Sequence, residues 1–286
     1  MVLRKETRGE CPACGYLNAY TETTGKNGQR VGWCASCQDK GTLAAILRGA
    51  GDSMLCSAGD DAYNPAEAAR QAEKRQEQAR AIWNGAAPVT GHDPAGLYLV
   101  SRGLAHLVGC PALRYRNDLR HPQKSGRYCG LVALVLDVSG VLVAVHRTYL
   151  VPDGRKARVE PVKASKGPIA GGAIRLSPAA RHIVIGEGIE TSASAGLLLG
   201  LPAWAAVSAG NMATGLILPP EVQEVTIAAD DDGRNAQGRN PGLDAAETAA
   251  ARWQAEGRKV RIIKPNMPGK DFNDILQGRE AGKAVA

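Results

Sequence analysis

Three consecutive carboxylates, Asp230, Asp231 and Asp232, directly follow the short apolar run 226–229. Such a run, bounded by a glycine-containing loop, predicts a buried strand that ends where the carboxylates begin. Side chains two residues apart on an extended segment point the same way, so Asp230 and Asp232 can face one point while Asp231 turns aside. Two carboxylates held together favour a shared cation, and hard oxygen ligands suit Mg²⁺ or Mn²⁺. The simpler interpretation is a solvated acidic turn that caps a helix.

Two further carboxylates follow predicted strands and favour the metal interpretation. Glu187 comes directly after the apolar run 182–186, and Asp271 comes a few residues after the strand-like run 260–263. In an open α/β sheet, ligands bind just beyond the carboxyl ends of the strands. Three strand ends therefore each deliver a carboxylate to the edge where a ligand would bind.

The elements that must position these carboxylates are strands that alternate with helices. After Glu187, residues 192–199 predict a helix, and Gly200 stands where a C-terminal glycine would end it. Alternation of this kind is typical of an α/β fold with a parallel sheet.

The ordered set of motifs resembles a Toprim domain, the metal-binding fold of bacterial DnaG-type primases, topoisomerases and some nucleases. The matching pieces are, in order, Glu187-Gly188, Asp230-Asp231-Asp232 and Lys270-Asp271, and they cover about the last third of the chain. The resemblance implies that Glu187, Asp230 and Asp232 are catalytic. It also implies that these three residues and Asp271 hold Mg²⁺ or Mn²⁺, with Glu187 acting as a ligand or as a base.

The chain departs from the family pattern at two places. Primases often carry an aspartate four residues after the motif glutamate, where this chain has Thr191, with Glu190 as the neighbouring carboxylate that could replace it. The third motif often contains two aspartates separated by one residue, and here Asn273 stands in the second place, followed by Asp274.

Four of the seven cysteines form two Cys-x-x-Cys pairs near the start of the chain. The spacing, about 20 residues between pairs, is that of a structural four-thiolate Zn²⁺ site. The four predicted ligands are Cys11, Cys14, Cys34 and Cys37. Disulfides are the poorer interpretation, because nothing in the sequence indicates export and a reducing cytosol disfavours them.

Between the cysteine pairs, residues 20–24 and 29–33 predict a β-hairpin around Asn27-Gly28, which together indicate a zinc ribbon. Trp33 lies near basic residues, a composition suited to stacking on single-stranded bases. The alternative for Trp33 is packing within the small zinc module. Farther along, Asn64 and Pro65 predict the start of a polar helix that runs to about Trp83 as a spacer or as a helix laid on the next domain.

The middle of the chain is strongly basic. Residues 101–178 contain thirteen basic and four acidic side chains, a larger positive excess than the formal +7 of the whole chain. A basic segment beside an acidic metal site is the charge layout of a protein that guides a phosphate backbone to a metal. The alternative is a solubilising surface. Within this segment, the runs 131–137 and 141–147 predict a hairpin around Val138-Ser-Gly140.

This middle segment also carries a resemblance. Tyr98-Leu-Val-Ser-Arg102-Gly103 is similar to the entry into a primase catalytic core, and such cores have a basic hairpin subdomain ahead of the Toprim domain. The resemblance implies that Arg147 and one or more of the nearby lysines contact template or nucleotide. The lysine candidates are Lys156, Lys163 and Lys166.

The order of these parts predicts an α/β protein with a zinc ribbon (1–42), a helical linker (43–90), a basic α/β subdomain (91–178) and a Rossmann-like Toprim domain (179–286). This is the order of a DnaG-type primase, most like the primase-like Toprim proteins of phages, plasmids and integrative elements. The resemblance implies a nucleotidyltransferase that makes short RNA primers. The alternatives are a Toprim nuclease that uses the same carboxylates, and a non-catalytic single-stranded-DNA-binding relic.

The expected partners follow from that function. They are single-stranded DNA template, ribonucleoside triphosphates and a separate replicative helicase, because no Walker sequence follows the Toprim motifs. The sequence contains no stretch long and apolar enough to span a membrane and no signal-peptide region at its start. We therefore expect no membrane partner and a cytoplasmic protein.

Overall fold

The computed structural model describes the backbone of residues 8–9, 20–24, 30–34, 65–230, 240–265 and 270–284, and the side chains of residues 70, 72–230, 240–265 and 270–278. The chain divides into two compact units. The first contains Met1–Ala69 and Arg234–Pro241, and the second contains Arg70–Gly233 and Gly242–Ala286. The second unit holds both the predicted basic subdomain and the predicted Toprim domain.

The first unit contains a three-stranded antiparallel sheet of β1 (Arg8–Gly9), β2 (Tyr20–Thr24) and β3 (Arg30–Cys34). β2 and β3 pair with Tyr20 opposite Cys34, so the hairpin predicted between the cysteine pairs is confirmed. The predicted zinc site lies outside the described residues, as does the predicted stacking role of Trp33. These positions are Cys11, Cys14, Cys37 and the side chains of Cys34 and Trp33.

Helix α1 (Pro65–Asn84) confirms the predicted polar helix. From Arg70 onward it belongs to the second unit, in which Ala79 and Trp83 are buried. The guanidinium of Arg114 lies 4.3 Å from the centre of the Trp83 ring and donates a 2.9 Å hydrogen bond to the Trp83 carbonyl. Within the described part of the chain, no helix is both long and apolar enough to cross a membrane.

The basic segment forms a five-stranded antiparallel sheet in the order β4-β5-β6-β7-β8. Its elements are β4 (Ala87–Pro88), α2 (Pro94–Ser101), a 3₁₀ turn (Ala105–Leu107), β5 (Leu113–Arg120), β6 (Arg127–Leu136), β7 (Leu142–Leu150) and β8 (Lys163–Lys166). β6 and β7 form the predicted hairpin, and Gly140 in its turn has φ +82°, a conformation that favours glycine. Helix α1 covers one face of this sheet, with Val132, Val145 and Tyr149 in the shared core.

The C-terminal part forms a second five-stranded sheet in the order β13-β12-β10-β11-β9. Its elements are β9 (Ile174–Arg175), β10 (His182–Gly186), α3 (Ile189–Leu199), β11 (Ala203–Ala205), a π-helical turn (Asn211–Gly215), β12 (Glu224–Ala228), α4 (Pro241–Ala255), β13 (Lys259–Ile263) and α5 (Phe272–Ala284). β10 to β13 are parallel, and β9 is an antiparallel edge. The predicted α/β architecture is therefore confirmed, and Gly200 ends α3 with φ +66° as predicted.

One apolar core extends from the first sheet of the second unit into the parallel sheet. It contains Leu99 of α2, Leu131 of β6, Val184 of β10 and Ile189 of α3, all at most 4% exposed. Burial of this shared surface fixes the basic sheet against the parallel sheet, because removing apolar area from water contributes roughly 25 cal/mol per Å². Side chains of the basic segment can therefore reach the strand ends of the parallel sheet.

Candidate functional site

Glu187 and Asp230 lie at the carboxyl ends of adjacent parallel strands. β10 and β12 pair with Gly186 opposite Ala228, so Glu187 directly follows one strand and Asp230 comes two residues after the end of the other. Neighbouring strands are separated by about 4.8 Å. The topology therefore brings to one edge two carboxylates that are 43 residues apart in the sequence.

The turn from β10 into α3 is fixed by Ser192. Its hydroxyl accepts a 3.1 Å hydrogen bond from the Gly186 N–H and donates a 2.7 Å bond to the Gly188 carbonyl. A Cβ atom at Gly186 would lie 2.9 Å from the Ser192 Oγ atom, closer than real Cβ contacts. Gly186 therefore permits the tight turn that places Glu187 at the edge.

Thr191 holds the first carboxylate of the acidic run. Its Oγ1 donates a 2.9 Å hydrogen bond to Oδ1 of Asp230, and its side chain is buried. The residue that replaces the family aspartate thus contacts the predicted metal ligand directly. Helix α4 also begins near this carboxylate, because a Cβ at Gly242 would lie 2.5 Å from the Asp230 carbonyl oxygen.

Asp271 caps a helix. Its Oδ1 accepts a 2.7 Å hydrogen bond from the Asp274 N–H, and its carbonyl accepts the Ile275 N–H at 3.2 Å, at the start of α5. Asp271 is exposed. This contact is the N-cap arrangement, which satisfies a helix donor.

Of the predicted metal ligands, the structure describes Glu187, Asp230 and Asp271. Within the described ranges, no three His, Cys, Asp or Glu side chains lie close enough to hold a metal ion, and Asp231 and Asp232 fall outside those ranges. The donor chemistry at the edge fits a hard divalent cation, since Glu187 and Asp230 both supply carboxylate oxygens. The ligand roles of Asp232 and Asp271 remain predictions.

Asn273, at the position where the family often has an aspartate, joins three elements. Its amide donates a 2.7 Å hydrogen bond to the Arg102 carbonyl and a 3.0 Å bond to the Ser194 hydroxyl. The side chain is 2% exposed. The Asn273 amide donates both of these hydrogen bonds. An ionised carboxylate only accepts hydrogen bonds, so an aspartate at this position could not bind the Arg102 carbonyl.

Two of the predicted lysines converge on one carboxylate, Glu190. Lys163 Nζ lies 2.9 Å from Glu190 Oε2, and Lys156 Nζ lies 3.3 Å from Glu190 Oε1. The Tyr98 hydroxyl also donates to Oε1. The two lysines are among the contacts predicted from the sequence, whereas Tyr98, which lies 92 residues before Glu190, is not.

The charges of this cluster follow from its contacts. Burial alone would raise the pKa of Glu190, but Lys163, Lys156 and the Tyr98 hydroxyl outweigh it and hold that pKa well below its usual range. Burial and the Glu190 charge raise the pKa of Tyr98. Burial lowers the pKa of Lys156, and Glu190 opposes this effect. At neutral pH the cluster therefore contains an ionised carboxylate and a neutral phenol.

The other two predicted contacts occupy different surroundings. Arg147 is 6% exposed and donates from Nε, Nη1 and Nη2 to the carbonyls of Ala164, Arg120 and Ser165, at 3.2 to 3.3 Å. Arg147 therefore holds strands of the basic sheet together through their backbone carbonyls. Its contact with nucleic acid stays a prediction. Lys166 lies on β8, where burial and the nearby Arg147 lower its pKa.

The family comparisons match two parts of the chain. Residues 182–282 match the model of the Toprim domain, and residues 73–176 match the model of a domain of unknown function, DUF7146. The Toprim domain predicted from three short motifs is therefore confirmed. No curated protein matches the sequence.

Several solved structures are similar to this chain at low identity. A DnaG primase catalytic domain bound to ssDNA is 15% identical, with 77% of this chain and 81% of that chain covered and a TM-score of 0.49. The primase fragment of the bacteriophage T7 primase-helicase protein is 17% identical, with 98% and 99% covered and a TM-score of 0.45. The zinc-binding and RNA polymerase domains of the Aquifex aeolicus primase are 13% identical, with 94% and 79% covered and a TM-score of 0.45.

Proposed function

We propose that this Toprim protein is a DNA primase, which synthesises short RNA primers on single-stranded DNA from ribonucleoside triphosphates. The observation that carries the proposal is a shared first turn of helix α3. This turn follows Glu187, contains Thr191 on the Asp230 carboxylate, and contains Glu190 on Lys156 and Lys163. One helix turn therefore contacts both the carboxylate proposed to bind metal and the two lysines proposed to bind phosphate.

The carboxylate edge would hold the catalytic metal. Glu187, Asp230 and, from the motif, Asp232 would bind Mg²⁺ or Mn²⁺, which supplies charge neutralisation for nucleotidyl transfer. Thr191 fixes the orientation of Asp230 before a ligand arrives. The lysines offer N–H donors to phosphate oxygens beside this edge. The chain's own residues thus hold a triphosphate in place and leave the base free to pair with a template.

The nuclease alternative uses the carboxylates but gives no role to the lysine pair. Hydrolysis of a backbone requires the metal edge and a path for the strand, which general basic charge provides. Two lysines fixed on one largely buried carboxylate suit a compact, highly charged group such as a triphosphate better than a passing strand.

The remaining parts of the proposal are based on the sequence motifs. The zinc ribbon, with Cys11, Cys14, Cys34 and Cys37, would engage the template, and a separate helicase would unwind DNA.

One assay separates these functions. The full chain is incubated with single-stranded DNA, Mg²⁺ or Mn²⁺ and labelled ribonucleotides. New oligoribonucleotides support the primase, shortened template supports the nuclease, and binding without either product supports the non-catalytic relic. The Asp230→Asn variant, prepared in the same way, excludes contaminating enzymes, because any product that it still makes does not come from this site.

A further inference from the structure

Glu190 is a largely buried carboxylate at the boundary between the two sheets of the second unit. Its side chain is 12% exposed, whereas those of Lys156 and Lys163 are each 32% exposed. The carboxylate therefore lies behind the two ammonium groups as seen from solvent. Tyr98 of α2 is only 2% exposed, and its hydroxyl donates a hydrogen bond that holds the Glu190 carboxylate in place.

The two ammonium groups keep binding capacity. An ammonium group has three N–H donors, and each lysine uses one of them on Glu190. With two lysines, one carboxylate and a neutral Tyr98, the cluster carries one net positive charge. The guanidinium of Arg102, 5.7 Å from the Tyr98 ring centre, adds another. The cluster is thus a fixed cationic surface with unused donors.

The cluster lies next to the carboxylate edge. A Cβ atom built on Gly188 would be 3.9 Å from Lys163 Nζ and 3.6 Å from Glu190 Oε2. Lys163 therefore lies against the loop that directly follows Glu187. An anion that also binds a metal at the edge would therefore bind on the side of the edge where this ammonium group lies.

Stability alone does not account for such a cluster. Burying a carboxylate carries a desolvation cost that its partners only offset, and apolar replacements of buried ion pairs are often as stable. Glu190 instead restricts two long side chains that would otherwise sample many rotamers. Ligand binding then costs less entropy, because the two cations are already in position.

We infer that Glu190 is a positioning residue that holds Lys156 and Lys163 together as the binding site for the triphosphate of the incoming ribonucleotide. The inference rests on the proposed function and adds the residue that organises its nucleotide site. Coulomb attraction alone predicts the opposite effect, because removing a negative charge should strengthen anion binding. The sign of the change therefore decides between the two views.

The test is the Glu190→Gln variant of the full chain, which keeps the side-chain shape and removes the charge. Binding of ATP with Mg²⁺ is measured by calorimetry without template, and the KM for ATP is measured in primer synthesis. We expect the Kd for ATP and the KM for ATP each to rise about tenfold, as for loss of hydrogen bonds to a charged group. Affinity for single-stranded DNA and kcat should change little. Unchanged or tighter ATP binding overturns the inference.

A pH profile gives a second readout that a purely structural role would not move. Glu190 opposes the lowering of the Lys156 pKa that burial, Lys163 and Arg102 produce. Without Glu190 that pKa falls further, so Lys156 loses its charge at lower pH. ATP binding by the variant should therefore be lost at a lower pH than ATP binding by the unaltered protein, and coincident profiles contradict the inference.

Two further variants protect the test. Glu224 at the opposite end of β12 also lies between two cations, 3.4 Å from Arg181 and 4.0 Å from Lys259. Glu224→Gln is thus a matched control and should bind ATP normally.

If Glu190→Gln does not fold, Tyr98→Phe tests the inference instead, because it removes only the hydroxyl that holds the Glu190 carboxylate in place. We expect it to weaken ATP binding about threefold, at the low end for one hydrogen bond, and no change overturns the inference.

The outcomes for function and for positioning are separable. A protein whose ATP binding weakens in the Glu190→Gln variant but which makes no primers refutes the primase and leaves the positioning role intact. A Glu190→Gln protein that makes primers with an unchanged KM for ATP refutes only the positioning role. A protein that binds no ATP refutes the positioning role directly.

Discussion

The hydroxyl of Thr191 donates a 2.9 Å hydrogen bond to Oδ1 of Asp230, joining the first turn of α3 to the end of the neighbouring strand β12. The bond restricts the orientation of the Asp230 carboxylate. Thr191, which stands where primases often have an aspartate, therefore orients the neighbouring carboxylate of Asp230. Changing Thr191 should alter the dependence of activity on Mg²⁺ concentration and leave the fold intact.

Thr191→Val should lower primer synthesis about tenfold at limiting Mg²⁺, because it keeps the shape and removes a hydrogen bond to a charged acceptor. Synthesis as a function of Mg²⁺ concentration measures this, and Thr191→Ser should restore it. Thr248→Val is the control, since the Thr248 hydroxyl donates to the Asp244 carbonyl at 2.8 Å on the exposed side of α4. A Thr191→Val protein with unchanged metal dependence would show that the bond has no catalytic role.

Asp230→Asn, Asp232→Asn and Glu187→Gln should each abolish synthesis, because an amide keeps the shape but removes the charge that holds the cation. Asp231→Asn should be milder, since the sequence predicts that alternation along an extended segment turns that side chain away from its two neighbours. Binding of single-stranded DNA should be kept or slightly improved in all four, since less negative charge faces the phosphates. Primer synthesis measured beside strand binding checks this. Equal loss in the Asp231 variant would contradict the alternation.

Asp271 offers a test that separates a helix cap from a metal ligand. Asp271→Asn keeps the cap and should leave the free energy of unfolding within about 0.5 kcal/mol, whereas Asp271→Ala should lower it by about 1 kcal/mol. Denaturant unfolding measures both. If Asp271 is also a ligand, the Asn variant will be stable but will need more Mg²⁺ for synthesis. Stability and metal dependence that both match the unaltered protein would confine the residue to capping.

Arg147 should be needed for stability. Arg147→Met leaves three carbonyls of the basic sheet without their donor, and we expect the free energy of unfolding to fall by about 3 kcal/mol. The exposed Arg158→Met is the control for loss of one positive charge. Denaturant unfolding and strand binding are measured together. If Arg147→Met keeps its stability but loses DNA affinity beyond the Arg158 control, Arg147 contacts nucleic acid instead.

The cysteine pairs predict one Zn²⁺ per chain, measured by metal analysis of the purified protein. Cys34→Ser should lose the zinc and unfold the ribbon, because so small a module has little core of its own. The Toprim domain should remain folded. Cys56→Ser, outside both pairs, should keep its zinc. Purified protein without stoichiometric zinc would refute the site.

Much of the fold follows from local patterns. The run 182–186 with Glu187 behind it predicts a strand that ends in a carboxylate, and the structure has that strand. Gly200 and Gly140 mark a helix end and a hairpin turn because their positive φ angles favour glycine. Period, turn chemistry and the order of short motifs are properties of neighbouring residues, so the sequence alone reveals them.

The sequence by itself determined the residue types at the strand ends, the parallel architecture and the Toprim domain, because each depends on short-range pattern. Only the tertiary structure decided what those residues touch. Tyr98, Lys156 and Lys163 meet Glu190 because one apolar core packs the basic sheet on the parallel sheet. Thr191 reaches Asp230 because β10 and β12 are neighbours in the sheet. Such contacts depend on which surfaces pack together, and sequence spacing carries no record of that.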